Sequence, residues 1–207
     1  MQDDKETKKP KATILGIGYG VRGGKWKAYV AGCSKKTATK EYTVWKNMIQ
    51  RCYSEAYLKR RPTYRGCSVT EEWLNFQVFA EWLTSQDFYL DGYELEKDIL
   101  KYGNKVYSPE TCTLIPQEIN SLVLDCKSTR GEFPIGVTWH KKYGKFKSQI
   151  RIFDKNIHLG YFDCPQEAHM AYVKAKEAHV KVIANKWKGR IEERVYLALM
   201  NWKVKDN

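Results

Sequence analysis

Histidine is missing from the first 139 residues of this 207-residue chain; His140, His158, His169 and His179 all fall in the last third. An imidazole general base is thereby excluded from the longer, N-terminal part. Close cysteine pairs are missing too, since Cys33, Cys52, Cys67, Cys112, Cys126 and Cys164 include no CxxC or CxxxC spacing. Zinc sites usually bring ligands in such pairs, so the pattern argues for reduced, mostly buried thiols. No apolar run approaches the roughly 20 residues that cross a bilayer, and the opening MQDDKETKKPKAT is charged where a secretion signal turns apolar. The expectation is a soluble, cytoplasmic protein with no membrane partner. The glycine-rich stretch from Ile14 to Tyr29 (ILGIGYGVRGGKWKAY) lacks both GxGxxG and a GK[ST] step, which removes a nucleotide-cradling loop.

Acidic residues are also in short supply. Asp and Glu number 24 against 36 Lys and Arg, giving a net charge of +12. The chain nevertheless has material for a core: 43% is hydrophobic, with 7 Trp, 14 Tyr and 7 Phe, which excludes wholesale disorder. A basic surplus interleaved with aromatics suits nucleic acid or another polyanion, and equally a solubilising lysine coat.

Residues 1–13 read as a flexible tail. The apolar period from Thr43 to Tyr57 predicts a helix, and Thr70 to Phe88 predicts a second, with Thr70 as its N-cap and Trp73, Phe76, Phe79, Ala80 and Leu83 on one face. Between them, YLKRRPTYRGCSV reads as a basic loop, and Lys59, Arg60, Arg61 and Arg65 are candidate phosphate contacts. Residues 91–120 read as short strands around a turn at Gly103-Asn104, with a short helix after Pro116. Residues 124–133 form the best linker. Beyond it, Val137 to His140, Phe146 to Ile152 and Ile157 to Phe162 predict three strands joined by turns at 141–144 and 154–156. Pro165 opens a long helix with Ala168, Ala171, Tyr172, Ala175, Ala178, Val182 and Ile183 at helical spacing, and Ile191 to Trp202 predicts a last amphipathic segment. The fold class is α+β.

The middle strand, KFKSQIRI, carries the functional pattern. Side chains alternate faces along a strand, so Phe146, Ile150 and Ile152 share a face that the alanine-rich helix can cover. Lys145, Lys147, Gln149 and Arg151 share the open one. Arg grips guanine and Gln grips adenine through paired hydrogen bonds, while Lys neutralises phosphate. Trp139, Lys141, Lys142, Lys155 and His158, with His140 and Tyr143, are expected to extend that surface towards double-stranded DNA. An ordinary solvated sheet face remains the alternative.

The run GVTWHKKYGKFKSQIRIFDKNIHLGYFDCPQEAHMAYVKAKEAH resembles the AP-two (apetala-two) DNA-binding domain of plant ethylene-response factors. The shared elements are Gly136-Val137, the basic strand Lys145 to Ile152, Leu159-Gly160-Tyr161-Phe162, and Glu167-Ala168 to Ala171-Tyr172. The resemblance implies a three-stranded antiparallel sheet packed on one long helix and set in the major groove, with Lys147, Gln149 and Arg151 at base-contacting positions. Upstream, VWKNMIQRCY, VTEEWLNFQVFAEWL and LEKDILKYGNKVYSPETCTLIPQEIN resemble the body of phage and prophage HNH or homing endonucleases. Together the resemblances imply an HNH-like ββα domain over 14–123, a linker over 124–133, an AP-two-like domain over 134–188 and a C-terminal helix over 189–207. A phage-encoded chain would act in the bacterial host cytoplasm.

Placed on the HNH pattern, Glu96-Lys97 stands where an Asp-His pair belongs and Glu110-Thr111-Cys112 where a Glu-Asn-Leu step belongs. Lysine is a poor general base at neutral pH. The expectation is therefore a DNA-binding protein on an inactive nuclease frame, needing no cofactor. Two alternatives stay open. Glu96, Asp98 and Asn120, with Glu110, could hold magnesium in an active endonuclease, or the basic sheet could dock an acidic protein partner or structured RNA.

Overall fold

The computed structural model describes residues 14–33, 35–124 and 132–205. The expected tail, most of the expected linker and Cys126 lie outside the described residues. The architecture is α+β, and the chain divides into two compact units at Leu114/Ile115. The sequence-based boundary at 124–133 fell later, because the short helix after Pro116 read as the end of the first domain.

In the first unit, capping side chains decide where the helices break. Thr39 accepts the Tyr42 N–H and starts α1 (Lys40–Tyr53), which buries Trp45, Met48, Ile49 and Cys52. The helix expected to run on to Tyr57 stops at Ser54, whose extended backbone and hydroxyl instead cap α2 (Glu55–Arg60), so part of the expected basic loop is helical. After β1 (Ser68–Val69), the helix expected from Thr70 is interrupted in the same way. Residues Glu71–Leu74 make one 3-10 turn, and Asn75 then caps α3 (Phe76–Ser85) by accepting the Gln77 N–H at 3.0 Å. The break is held from outside the segment: the Tyr19 N–H donates to Leu74 O and Tyr19 O accepts from the Phe76 N–H, each at 2.9 Å.

The aromatic face forms the core, with Trp45, Trp73, Phe76 and Phe79 fully buried and Trp45 Nε1 donating to Trp73 O at 2.8 Å. The glycine-rich stretch is an irregular loop, pinned by Gln77 through Gly20 O and both backbone groups of Trp26. Two small ladders finish the unit: β1 runs parallel to β3 (Val106–Tyr107), and β2 (Tyr93–Glu96) pairs with β4 (Thr113–Pro116), which carries the chain into the second unit.

The second unit opens with α4 (Gln117–Val123), whose Glu118 accepts from Lys186 Nζ and Trp187 Nε1. Strands β5 (Val137–His140), β6 (Lys145–Ile152) and β7 (Lys155–Phe162) form an antiparallel sheet in that order. One long helix, α5 (Pro165–Trp187), packs on it, followed by α6 (Glu193–Met200). The seam is tight: Val137, Ser148, Ile150, Ala168 and Tyr172 are buried there. A Cβ at Gly136 would sit 2.1 Å from the Tyr172 ring, and its φ of +83° already favours glycine. The β6–β7 turn centres on Phe153 and Asp154, both at positive φ, one residue earlier than expected. Phe153 packs edge-on against His179 of α5, an anchor that offsets its backbone strain. Among the described residues, no helix is long and apolar enough to cross a membrane.

Candidate nucleic-acid interface

The register of the sheet decides which side chains share its open face. Thr138 pairs with Lys147 and His140 with Lys145, while across β7 Lys147 pairs with Tyr161, Gln149 with His158 and Arg151 with Asn156. Cross-strand partners point to the same side. Lys145, Lys147, Gln149, Arg151 and His158 are therefore brought together as expected, with Phe146, Ser148, Ile150 and Ile152 on the side that α5 covers. Lys141 and Lys142 lie exposed in the β5–β6 turn. Two expected members stand elsewhere. Trp139 pairs with Phe146 and packs against its ring at 4.9 Å, and Lys155 pairs with Ile152, so alternation turns both to the opposite side.

Tyr161 joins the open face although simple alternation from His158 would turn it inward. Ser148 pairs with Gly160 and Gln149 with His158, leaving Leu159 as an extra residue in β7. This bulge shifts the parity by one, and Gly160 accommodates it at φ +139°. A glycine inside a strand pattern was the available signal. The result is an aromatic group at one end of the face. His140 and Tyr143 stack at 4.7 Å and 15°, and Tyr161 meets both edge-on at 5.2 and 4.8 Å. His158 lies 4.5 Å from Tyr161.

The cations here are only loosely committed. Arg151 Nη2 donates to Asp154 Oδ1 at 2.9 Å and Lys145 lies 3.1 Å from Asp163, but all four groups are well exposed. Such surface pairs contribute about 0–1 kcal/mol and yield readily to a phosphate. Lys147 has no salt bridge among the described residues. The remaining helix histidines have local roles: His169 Nδ1 contacts Ile135 O at 3.0 Å, and burial lowers the pKa of His179, with Lys176 adding to the effect.

Of the catalytic candidates, Asn120 lies on α4, Glu96 ends β2 and Asp98 follows it. Lys97 is buried between them in sequence, with Nζ donating at 2.7 Å to both Asp98 carboxylate oxygens and to Asn104 O. Glu96 Oε1 accepts the Asp98 N–H at 2.6 Å. Thr111 is spent on the local turn, donating to Val106 O and meeting Ser108 Oγ at 3.0 Å. The donor set does not fit a magnesium ion, because an ammonium already sits on the Asp98 carboxylate. Among the described residues, no group of three or more His, Cys, Asp or Glu could hold a metal. Burial pushes the Cys52 and Cys112 thiols up to about 12, so neither is a nucleophile at neutral pH.

Lys59, Arg60, Arg61 and Arg65 are exposed on α2 and the following 3-10 turn. Sequence reasoning missed the cation behind them. Arg51 of α1 lies over the Tyr64 ring at 5.7 Å, and Tyr64 meets Tyr57 edge-on, so the basic segment is backed by a tyrosine-lined arginine. No family model matches this chain, and neither the curated proteins nor the solved structures contain a match to it.

Proposed function

We propose that this chain is a DNA-binding protein that reads duplex DNA in the major groove through the open face of the β5–β6–β7 sheet. The observation that carries the proposal is the row Lys147, Gln149 and Arg151 on β6, on the face opposite the one that packs against α5, flanked by Lys145 and His158. Three cations and an amide in one row exceed what solubility needs, and they match the donors that recognise guanine, adenine and phosphate. A groove about 12 Å wide accepts such a narrow, twisted ribbon. Lys141 and Lys142 then hold the backbone from the turn. The resemblance to the AP-two domain supports the same assignment, and the resemblance of the first unit to HNH nucleases supports a phage-type protein acting in a host cytoplasm.

Cleavage has less support. Lys97 replaces the histidine that would activate water, and its ammonium engages the carboxylate that would bind the metal. The proposed function is binding without a metal or other cofactor.

Arg151→Ala and Lys141→Ala separate base reading from backbone holding. In a selection from randomised duplexes, Arg151→Ala is expected to relax the preferred sequence at a cost of about 1–3 kcal/mol at the affected base pair. Lys141→Ala is expected to weaken every duplex alike. Selection of the parent's sequences by both variants, at the parent's affinity, would remove the sheet face from the account.

A further inference from the structure

We infer that the aromatic end of the sheet seats an unpaired base, so that the preferred ligand is duplex DNA carrying an unpaired or extruded nucleotide. The inference rests on the DNA-binding reading and adds the state of the DNA that is bound. The open face has two halves of different chemistry. Gln149, Arg151 and Asn156 offer hydrogen bonds and charge, as a groove demands. The other half, beside the β5–β6 turn, presents rings: the His140–Tyr143 stack, with Tyr161 standing edge-on against both members.

Rings that served only to cover the sheet would bury their largest members. Tyr143 is instead 53% exposed and Tyr161 38%. Their contact across β6 depends on the Leu159 bulge, which brings Tyr161 to the open side. An intact duplex offers no base face to such rings, because its bases are stacked on one another; a base that has left the stack does. Laid on the outer side of Tyr143, it extends the two-ring stack to three, with Tyr161 as a side wall. Lys142 Nζ, 5.7 Å from the centre of the Tyr143 ring, and Lys145 at the same end of the sheet supply charge for the phosphates of the displaced nucleotide. Stacking of this kind tolerates any base, so it selects a structure and leaves sequence to the β6 row.

The experiment compares the intact protein's affinity for a fluorescently labelled perfect duplex and for the same duplex with one extra adenine, replaced in a second preparation by 2-aminopurine. The expected result is binding of the bulged duplex about ten-fold tighter, with quenching of the 2-aminopurine as it stacks. Tyr143→Leu and Tyr161→Leu should lose both the preference and the quenching, so that each variant binds the bulged and the perfect duplex equally, and Tyr143→Phe, which keeps the ring, should retain them. Equal affinity for the two duplexes without quenching overturns the inference and leaves duplex recognition standing. Failure to bind either duplex overturns both.

Discussion

The proposed resemblance to HNH nucleases puts Glu96 and Lys97 where such an enzyme would keep its chemistry, and their environments differ from what that chemistry needs. Burial holds the Glu96 carboxyl above the usual carboxylate range, with the Asp98 charge adding to the effect and the Asp98 N–H opposing it. A carboxyl whose pKa is higher in the folded state than in the unfolded chain favours folding below its unfolded value near 4.3 and loses that contribution as pH rises through the folded value. At pH 7, well above the unfolded value, this raised pKa therefore works against stability. Glu96→Gln keeps an oxygen to accept the Asp98 N–H and removes the charge, so its melting midpoint is expected above the parent's at pH 7 and converging with it near pH 4. A lower midpoint at pH 7 would show that the carboxylate is needed in the fold. Lys97 has the opposite status, since its ammonium is fully engaged by Asp98 and Asn104. A buried ammonium with three partners is a structural group.

The sheet and α5 show how far pattern reasoning reaches at the level of elements. The three strands, the turn at 141–144 and the Pro165 helix start were legible, because each is announced by local spacing, by turn residues or by a proline at the first helical position. The breaks at Ser54 and Asn75 were not, because hydrophobic spacing runs through both and the caps compete with it; at Asn75, Tyr19 also holds the break from more than fifty residues away. The β7 bulge escaped for a related reason: parity within a strand is set by its partner, so Tyr161 was left out of the face and Trp139 was placed on it.

The same strand parity turns Ser148 towards α5, where its hydroxyl is fully buried without a hydrogen-bond partner among the described residues. Ser148→Ala is thus expected to raise stability by about 1 kcal/mol and to leave DNA affinity unchanged, as read by urea denaturation and by duplex titration. Destabilisation would place a polar partner at that seam, and altered affinity would mean that β6 presents its other side.

At the scale of the whole molecule, the charge of +12 is the feature most plainly written in the composition, yet composition alone does not say where the charge acts. Each unit carries a basic surface of its own: the sheet face with its turn in the second, and the α2 segment backed by Arg51 in the first. If the sheet face with its turn neutralises about four to six phosphates, affinity should fall about a hundred- to a thousand-fold between 50 and 200 mM salt. The measurement that tests the central claim most directly is this duplex titration at both salt concentrations, made on the parent and on a Lys147→Glu, Arg151→Glu double variant whose fold is checked by its melting curve. The account predicts steeply salt-dependent binding by the parent and its near-complete loss in the folded double variant. A folded variant that binds with the parent's affinity and salt dependence would contradict it, and would move the DNA contact off the sheet.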